Sequence, residues 1–245
     1  MIDGLILAFE FFSRLPLRKN VDFTEKNISF CVFFMPFVGL CIGFVAAIVF
    51  SLISRLDLLI ASFLTVTSIV ILTGGLHLDG LADTFDGFFS NRDKDKTLEI
   101  MKDSRIGTFG TIAIILVLLG KIILIYKIRD ITLIAIILSL GNARLATSIN
   151  ISHRNSAKNE GLGFLFYKSK PLKKVIISMI LYIILVLIVN PFNILPLIGT
   201  IIFGLAFARW SDGKIGGLTG DVNGATIELG EIISLLVFWG VAQWI

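Results

Sequence analysis

Charge is what this sequence has least of: 16% of its 245 residues are Asp, Glu, Lys or Arg and 56% are apolar. Ordinary soluble domains carry about 25% charged residues, and a mean hydropathy of +0.91 excludes that class here. Cysteine is almost missing as well. Cys31 and Cys41 both lie inside the first apolar run, where they read as small hydrophobes, so a disulfide framework is excluded. The net charge of +4 does not describe a nucleic-acid surface, because the cations sit in short segments flanking apolar runs, where they set topology. The N-terminus has no basic region and no small-residue cleavage site. With Asp3 and Glu10 in the way, it is not read as a secretory signal. Asp3, Glu10 and Arg14 share one helical stripe, which predicts a helix lying at a membrane interface.

What is abundant is apolar sequence in lengths that match a hydrocarbon core of about 30 Å. Such runs fall at 30–53, 57–75, 107–126, 130–149, 174–190, 192–210 and 225–244. The expectation is an all-α, polytopic bundle of about seven transmembrane helices plus the N-terminal interfacial helix, forming one domain over residues 1–245, with no internal repeat. Lys and Arg distribute unevenly about these runs. Segments 1–29, 76–106, 150–174 and 209–223 hold 17, the opposite loops hold Arg55, Lys127 and Arg129, and Lys121 and Arg144 fall within runs. The positive-inside bias puts the long segments and the N-terminus in the cytoplasm of a cell-membrane protein.

The polar residues that remain are concentrated. "GGLHLDGLADTFDGFF" at residues 74–89 places three aspartates directly after the second run. Read as a helix continuing from that run, it sets Asp79, Asp83 and Asp86 within about 60° of one another. Like charges so arranged repel, and more so near lipid. Carboxylates in such a cluster suit Mg²⁺, or Mn²⁺, shared with a substrate phosphate. The bland alternative is a solvated acidic face with Lys94 and Lys96 as partners. Gly74, Gly75, Gly80 and Gly87 weigh against it, since each costs a helix roughly 1 kcal/mol unless backbone must approach something closely.

Next, "TLEIMKDSRIGTFG" brings Glu99, Lys102, Asp103 and Arg105 to the start of the third run. Beside a carboxylate cluster, Lys102 and Arg105 become candidates for phosphate oxygens. A late stretch, "ARWSDGKIGGLTGDVNGATIELGE", sets Arg209 and Lys214 before a glycine-rich loop, with Asp221 and Glu228 after it. Such a loop before a helix is a candidate phosphate cradle, and Asp221 is equally readable as a helix cap. Arg144 lies deep in an apolar run, where a charge costs at least about 2.5 kcal/mol unless it meets a polar cavity or an ion pair. Lys121, nearer a run's end, reads as snorkelling. His77 is a hydrogen-bonding group or a metal ligand; His153 is a loop residue.

"TGGLHLDGLADTFDG", "EIMKDSRIGTFG" and "GGLTGDVNGATIEL", with "FFSRLPL" and "GLGFLF", resemble in order and spacing the signature segments of the cobalamin synthase family. Asn223 stands where that pattern has an apolar residue. The resemblance implies an integral membrane transferase, adenosylcobinamide-GDP ribazoletransferase, dependent on Mg²⁺. It would join adenosylcobinamide-GDP to α-ribazole or α-ribazole 5′-phosphate and release GMP. The expected metal ligands are then Asp79, Asp83 and Asp86, with Asp103 and Asp221 as catalytic residues. Lys102, Arg105, Arg144, Arg209 and Lys214 would bind substrate phosphates, and His77, Glu99 and Glu228 are secondary candidates. Its partners are the two substrates and the lipid bilayer, with no nucleic acid; a homo-oligomer is compatible. A CDP-alcohol phosphotransferase would want Ala-Arg after Asp-Gly, where Asp83 stands instead. An ion-coupled transporter would want related halves and mid-membrane carboxylates.

Overall fold

A computed structural model of the protein describes residues 1–14, 21–128 and 130–244. The end of "FFSRLPL", and Arg18, Lys19 and Arg129 of the cation count, lie outside the described residues. The helices are α1 (Ile2–Phe12), α2 (Glu25–Ile53), α3 (Leu58–Thr73), α4 (Leu76–Phe89), α5 (Lys94–Ile100) and α6 (Thr108–Lys127), followed by α7 (Thr132–His153), α8 (Leu162–Lys168), α9 (Leu172–Val189), α10 (Ile194–Ile215) and α11 (Gly220–Val241). The described residues form no β-sheet, so the chain is an all-α polytopic membrane bundle.

Six segments are each long and apolar enough to cross a membrane: α2, α6, α7, α9, α11, and α10 with the 3₁₀ turn before it. The pair α3 and α4 passes the same test only together and is bent by 90°, so the described residues hold six such segments, or seven with the bent pair counted as one. This corrects the reading of 78–89 as a straight continuation of the second run. Gly74 and Gly75 both take left-handed backbone, φ 65° and 72°, which ends α3 and turns the chain. The Arg14 backbone N–H donates to the Leu72 carbonyl at 2.7 Å, and the Arg14 side chain lies where a Cβ on Gly74 would be. A branched residue at Gly74 would therefore meet both strained backbone and a clash. After the turn, α4 lies against the first turns of α6 and α11. At 11 residues α1 is too short to cross and packs instead along the start of α2, which suits the interfacial reading. Asp57 caps α3 and Thr24 caps α2, each through a side-chain oxygen on a backbone N–H.

The bundle is built around α7. Of its apolar window 78% is inside the protein, against 22% for α9, so α7 is the axis and α9 a lipid-facing wall. Buried charge ties α7 to its neighbours. Lys121 of α6 donates to Glu228 at 2.6 Å and also to Glu231, both on α11. Arg144 of α7 donates to Glu231 at 2.9 Å and to the Leu140 carbonyl at 3.0 Å. Two cations and two carboxylates thus close on one another away from water. Lys121 does not snorkel: it is 3% exposed. Cys31 and Cys41 are both free, as expected.

Candidate active site

The polar segments meet where α4 lies against the first turns of α6 and α11. Gly80 makes that contact close, since a Cβ there would stand 2.8 Å from the Asp221 carbonyl oxygen. Gly224 answers it on α11, where a Cβ would come 3.1 Å from the His77 carbonyl oxygen. Without side chains at these two points, Asp79 and Asp221 come to the same junction. Thr219, not Asp221, caps α11: its Oγ1 accepts the Val222 N–H at 3.2 Å. The Asp221 carboxylate is half-buried at the first turn and accepts the Thr219 hydroxyl at 3.3 Å.

The three aspartates of α4 have different surroundings. Asp86 accepts the backbone N–H groups of Gly107 at 2.7 Å and Gly110 at 2.9 Å. It thereby satisfies donors at the start of α6, whose own cap residue, Gly107, has no side chain to do so. Asp79 is exposed and Asp83 half-buried. Both line a cavity of about 500 Å³ together with Lys102 and Asp103. A second cavity, of about 220 Å³, is lined by Lys158, Glu160, Gly220 and Asp221. A third, of about 210 Å³, is lined by Asp79, Asp221 and Asn223 together with His77, Phe11, Phe12 and Phe166. Asp79 is shared by the first and third, and Asp221 by the second and third, so three cavities converge on two carboxylates.

The junction holds an excess of negative charge. Burial pushes the Asp83 carboxyl up to about 7, and Asp79, Asp221 and Asp86 press the same way. Among the described residues the nearest cation is the Lys158 ammonium, 3.8 Å from Asp221. Lys94 and Lys96 do not neutralise the cluster, since Lys96 pairs with Glu99 at 2.8 Å and Lys94 lies beside Gly216. Asp103 is different. Arg105 grips it through Nε at 3.0 Å and Nη2 at 2.7 Å, which holds its carboxyl well below the usual range.

Of the other residues singled out in the sequence, Arg209 and Lys214 sit on the last turns of α10 and line none of these three cavities. Glu99 is engaged with Lys96 on the surface, and Arg144 and Glu228 belong to the buried ion cluster rather than to the junction. Sequence reasoning missed Lys158, Glu231 and Tyr167, whose hydroxyl donates to Asn223 at 2.8 Å. Lys158 was indistinguishable from the other loop cations until a parallel bridge between Ser156 and Leu218 drew its loop against α11. The Tyr167 bond also accounts for a polar residue at position 223.

The sequence profile of the cobalamin-5-phosphate synthase family matches residues 4–239. The chain belongs to this family. It is 37% identical over 241 residues to a Clostridium botulinum (strain Langeland) protein named adenosylcobinamide-GDP ribazoletransferase, with 97% of each chain covered. Proteins of the same name from Caldanaerobacter subterraneus and Treponema denticola are 37% and 36% identical, covering 97% and 96% of this chain. No solved structure matches it. In this cobalamin-5-phosphate synthase family member, the segments that carried the resemblance contribute α4, the α5–α6 link and the start of α11. These are the elements that form the junction.

Proposed function

We propose that this protein is a membrane-embedded transferase that joins adenosylcobinamide-GDP to α-ribazole, or to α-ribazole 5′-phosphate. The products are adenosylcobalamin, or its 5′-phosphate, and GMP. The observation that carries this reading is the convergence of three cavities on Asp79 and Asp221. One is flanked by Lys102, one by Lys158 and one by aromatic rings, as two substrates meeting at a diphosphate require.

In the reaction, a ribose hydroxyl oxygen of the acceptor bonds to the phosphorus next to cobinamide. The bond from that phosphorus to the bridging oxygen breaks, and the bridging oxygen leaves with GMP. Asp221, in the lining of the aromatic cavity, takes the hydroxyl proton. Asp103 is the weaker proton acceptor, because Arg105 already stabilises its charged form. Lys102 and Lys158 hold phosphate oxygens and offset the charge that develops on them.

The donor set fits Mg²⁺. Among the described residues no three His, Cys, Asp or Glu side chains form an ion cage by themselves. Mg²⁺ is commonly held by one or two carboxylates plus substrate phosphates and water, and Asp79 and Asp83 offer two carboxylates on one cavity with an unrelieved repulsion between them. Bound there, Mg²⁺ would neutralise charge on the diphosphate. We place this face in the cytoplasm, on the strength of the cation asymmetry.

The test is turnover. Purified protein given adenosylcobinamide-GDP, α-ribazole and Mg²⁺ should yield adenosylcobalamin and GMP in equal amounts, and EDTA should stop both. GMP release that ignores α-ribazole would sink the transferase reading.

A further inference from the structure

The end of the bundle away from the junction carries a fourth cavity, of about 840 Å³. Helices α6 and α11 both start at the junction and run for 20 and 22 residues, about 30 Å and 33 Å along their axes. Their far ends therefore stand across a hydrocarbon core from the aspartates. Ile123 and Leu124 of α6 wall the cavity on one side, and Leu236 and Trp239 of α11 on the other. Lys127, at the end of α6, and Asp130, in the link to α7, supply its charge. Ile123, Leu236 and Trp239 are exposed, so the cavity is a groove open to lipid at interface depth, where tryptophan is favoured.

Lys127 and Asp130 are three positions apart, yet among the described residues neither forms an ion pair, with the other or with any third group. Lys127 has the neighbouring Tyr126 ring at 5.7 Å. One cation and one carboxylate, both unpaired, select a headgroup that carries both signs. An anionic headgroup would meet Lys127 but be repelled by Asp130 and by the partial negative charge where α6 and α11 end. A trimethylammonium headgroup has no N–H for a carboxylate and prefers a cage of aromatic rings, whereas Trp239 is the single ring in the described lining. An ethanolamine headgroup sets a phosphate against Lys127 and three N–H donors against Asp130, and its acyl chains cover the apolar walls. The volume lies within the range of roughly 300–1,000 Å³ usual for small-molecule sites.

We propose that this groove binds one molecule of phosphatidylethanolamine, with its phosphate on Lys127 and its ammonium on Asp130. The bound lipid clamps the far ends of α6 and α11, the two helices whose near ends hold the Asp86-bonded amides and Asp221. The site is separate from the junction, and its occupation stabilises the protein whatever reaction the junction performs.

The experiment melts full-length protein, stripped of lipid in dodecylmaltoside, after adding phosphatidylethanolamine, phosphatidylcholine or phosphatidylglycerol at equal mole fraction in the micelle. Free phosphoethanolamine is a fourth arm. At about ten times its Kd, phosphatidylethanolamine should raise the wild-type Tm by about 3 °C or more, and native mass spectrometry should retain one such lipid per chain. The other two lipids and the free headgroup should each move Tm by less than about 1 °C. Lys127→Gln and Asp130→Asn change exposed side chains, so both should melt within about 2 °C of wild type before lipid is added. Lys127→Gln should weaken phosphatidylethanolamine binding about tenfold. Asp130→Asn should erase the preference over phosphatidylglycerol. Lys168→Gln, at the junction end, should leave the lipid response as in wild type. Equal stabilisation by all three lipids overturns the proposal, because the effect is then that of bulk lipid. A response to phosphatidylglycerol or phosphatidylcholine alone, or an equal response to free phosphoethanolamine, overturns the choice of occupant. A phosphatidylethanolamine response that ignores both Lys127→Gln and Asp130→Asn overturns the choice of site.

Discussion

Replacing Glu231 by Gln tests whether the buried ion cluster stabilises the bundle as a unit. Glu231 is the only carboxylate among the described residues that bonds Arg144, and it also holds Lys121. The native cluster is neutral: Lys121 and Arg144 against Glu228 and Glu231. Glu231→Gln leaves two buried cations facing one carboxylate. Arg144 would then keep only charge-free acceptors, the Leu140 carbonyl and the amide oxygen of the new Gln, with Nε and Nη2 already unmet among the described residues. Removing one partner of a buried pair costs about 3–5 kcal/mol. For a chain of this size each kcal/mol moves Tm by about 2–4 °C, so the melting midpoint in detergent should fall by at least roughly 6 °C. The decisive measurement is the second variant. Arg144→Leu in the Glu231→Gln background restores neutrality, leaving Lys121 with Glu228. The double variant should therefore melt above Glu231→Gln alone, with a coupling of about 2 kcal/mol or more. If the two losses add, or if Glu231→Gln melts within about 2 °C of wild type, the cluster is not a coupled unit and the reasoning is wrong.

Asp83→Asn should abolish turnover and most of the Mg²⁺-dependent rise in Tm, because it removes one of the two carboxylates proposed to hold the ion; Asp93→Asn should do neither, since Asn also caps α5 well. Asp86→Ala should destabilise the start of α6 by about 1–3 kcal/mol, read as faster amide exchange at Gly107–Thr111, while Asp86→Asn should retain part of that protection. Normal exchange in the alanine variant would remove the capping role. Gly80→Val puts a branched side chain against the Asp221 backbone, 2.8 Å from Cβ to the carbonyl oxygen; kcat should fall at least about tenfold, a loss of only ~1.4 kcal/mol, without loss of membrane insertion. Cysteines placed at Asn91 and Asn159 should react with an impermeant thiol reagent only from the cytoplasmic side, and labelling of either from outside would reverse the orientation.

How much of this was legible before folding depended on the range of the interaction. The six long apolar helices could be read because each is a local property of one apolar run. The Gly74–Gly75 turn could not. Spacing alone reads those glycines as a close backbone approach, whereas their left-handed backbone ends α3, and the Arg14 side chain docks against Gly74. Asp86 shares a helical face with Asp79 and Asp83 by periodicity, yet its oxygens bond amides 21 and 24 positions away. No spacing rule reaches that far. Glu231 escaped notice for the same reason: its cationic partners are 87 and 110 positions distant. Lys121 was misread because whether a lysine near a run's end faces lipid or a neighbouring helix depends on how helices are rotated against one another. The junction itself was foreshadowed by three polar segments, while its third cavity needed α1 and α8 to fold over it.

The length of α3 sets a mechanical condition. At 16 residues it reaches about 24 Å along its axis, several ångströms less than the hydrocarbon core of about 30 Å. Where α3 alone occupies the hydrocarbon, either the bilayer thins around it or the junction on α4 is drawn inward from the water surface. The depth of the aspartates is therefore tied to lipid chain length, and the membrane becomes a variable of the chemistry: a thin bilayer lifts the site toward water, and a thick one pulls it under the headgroups.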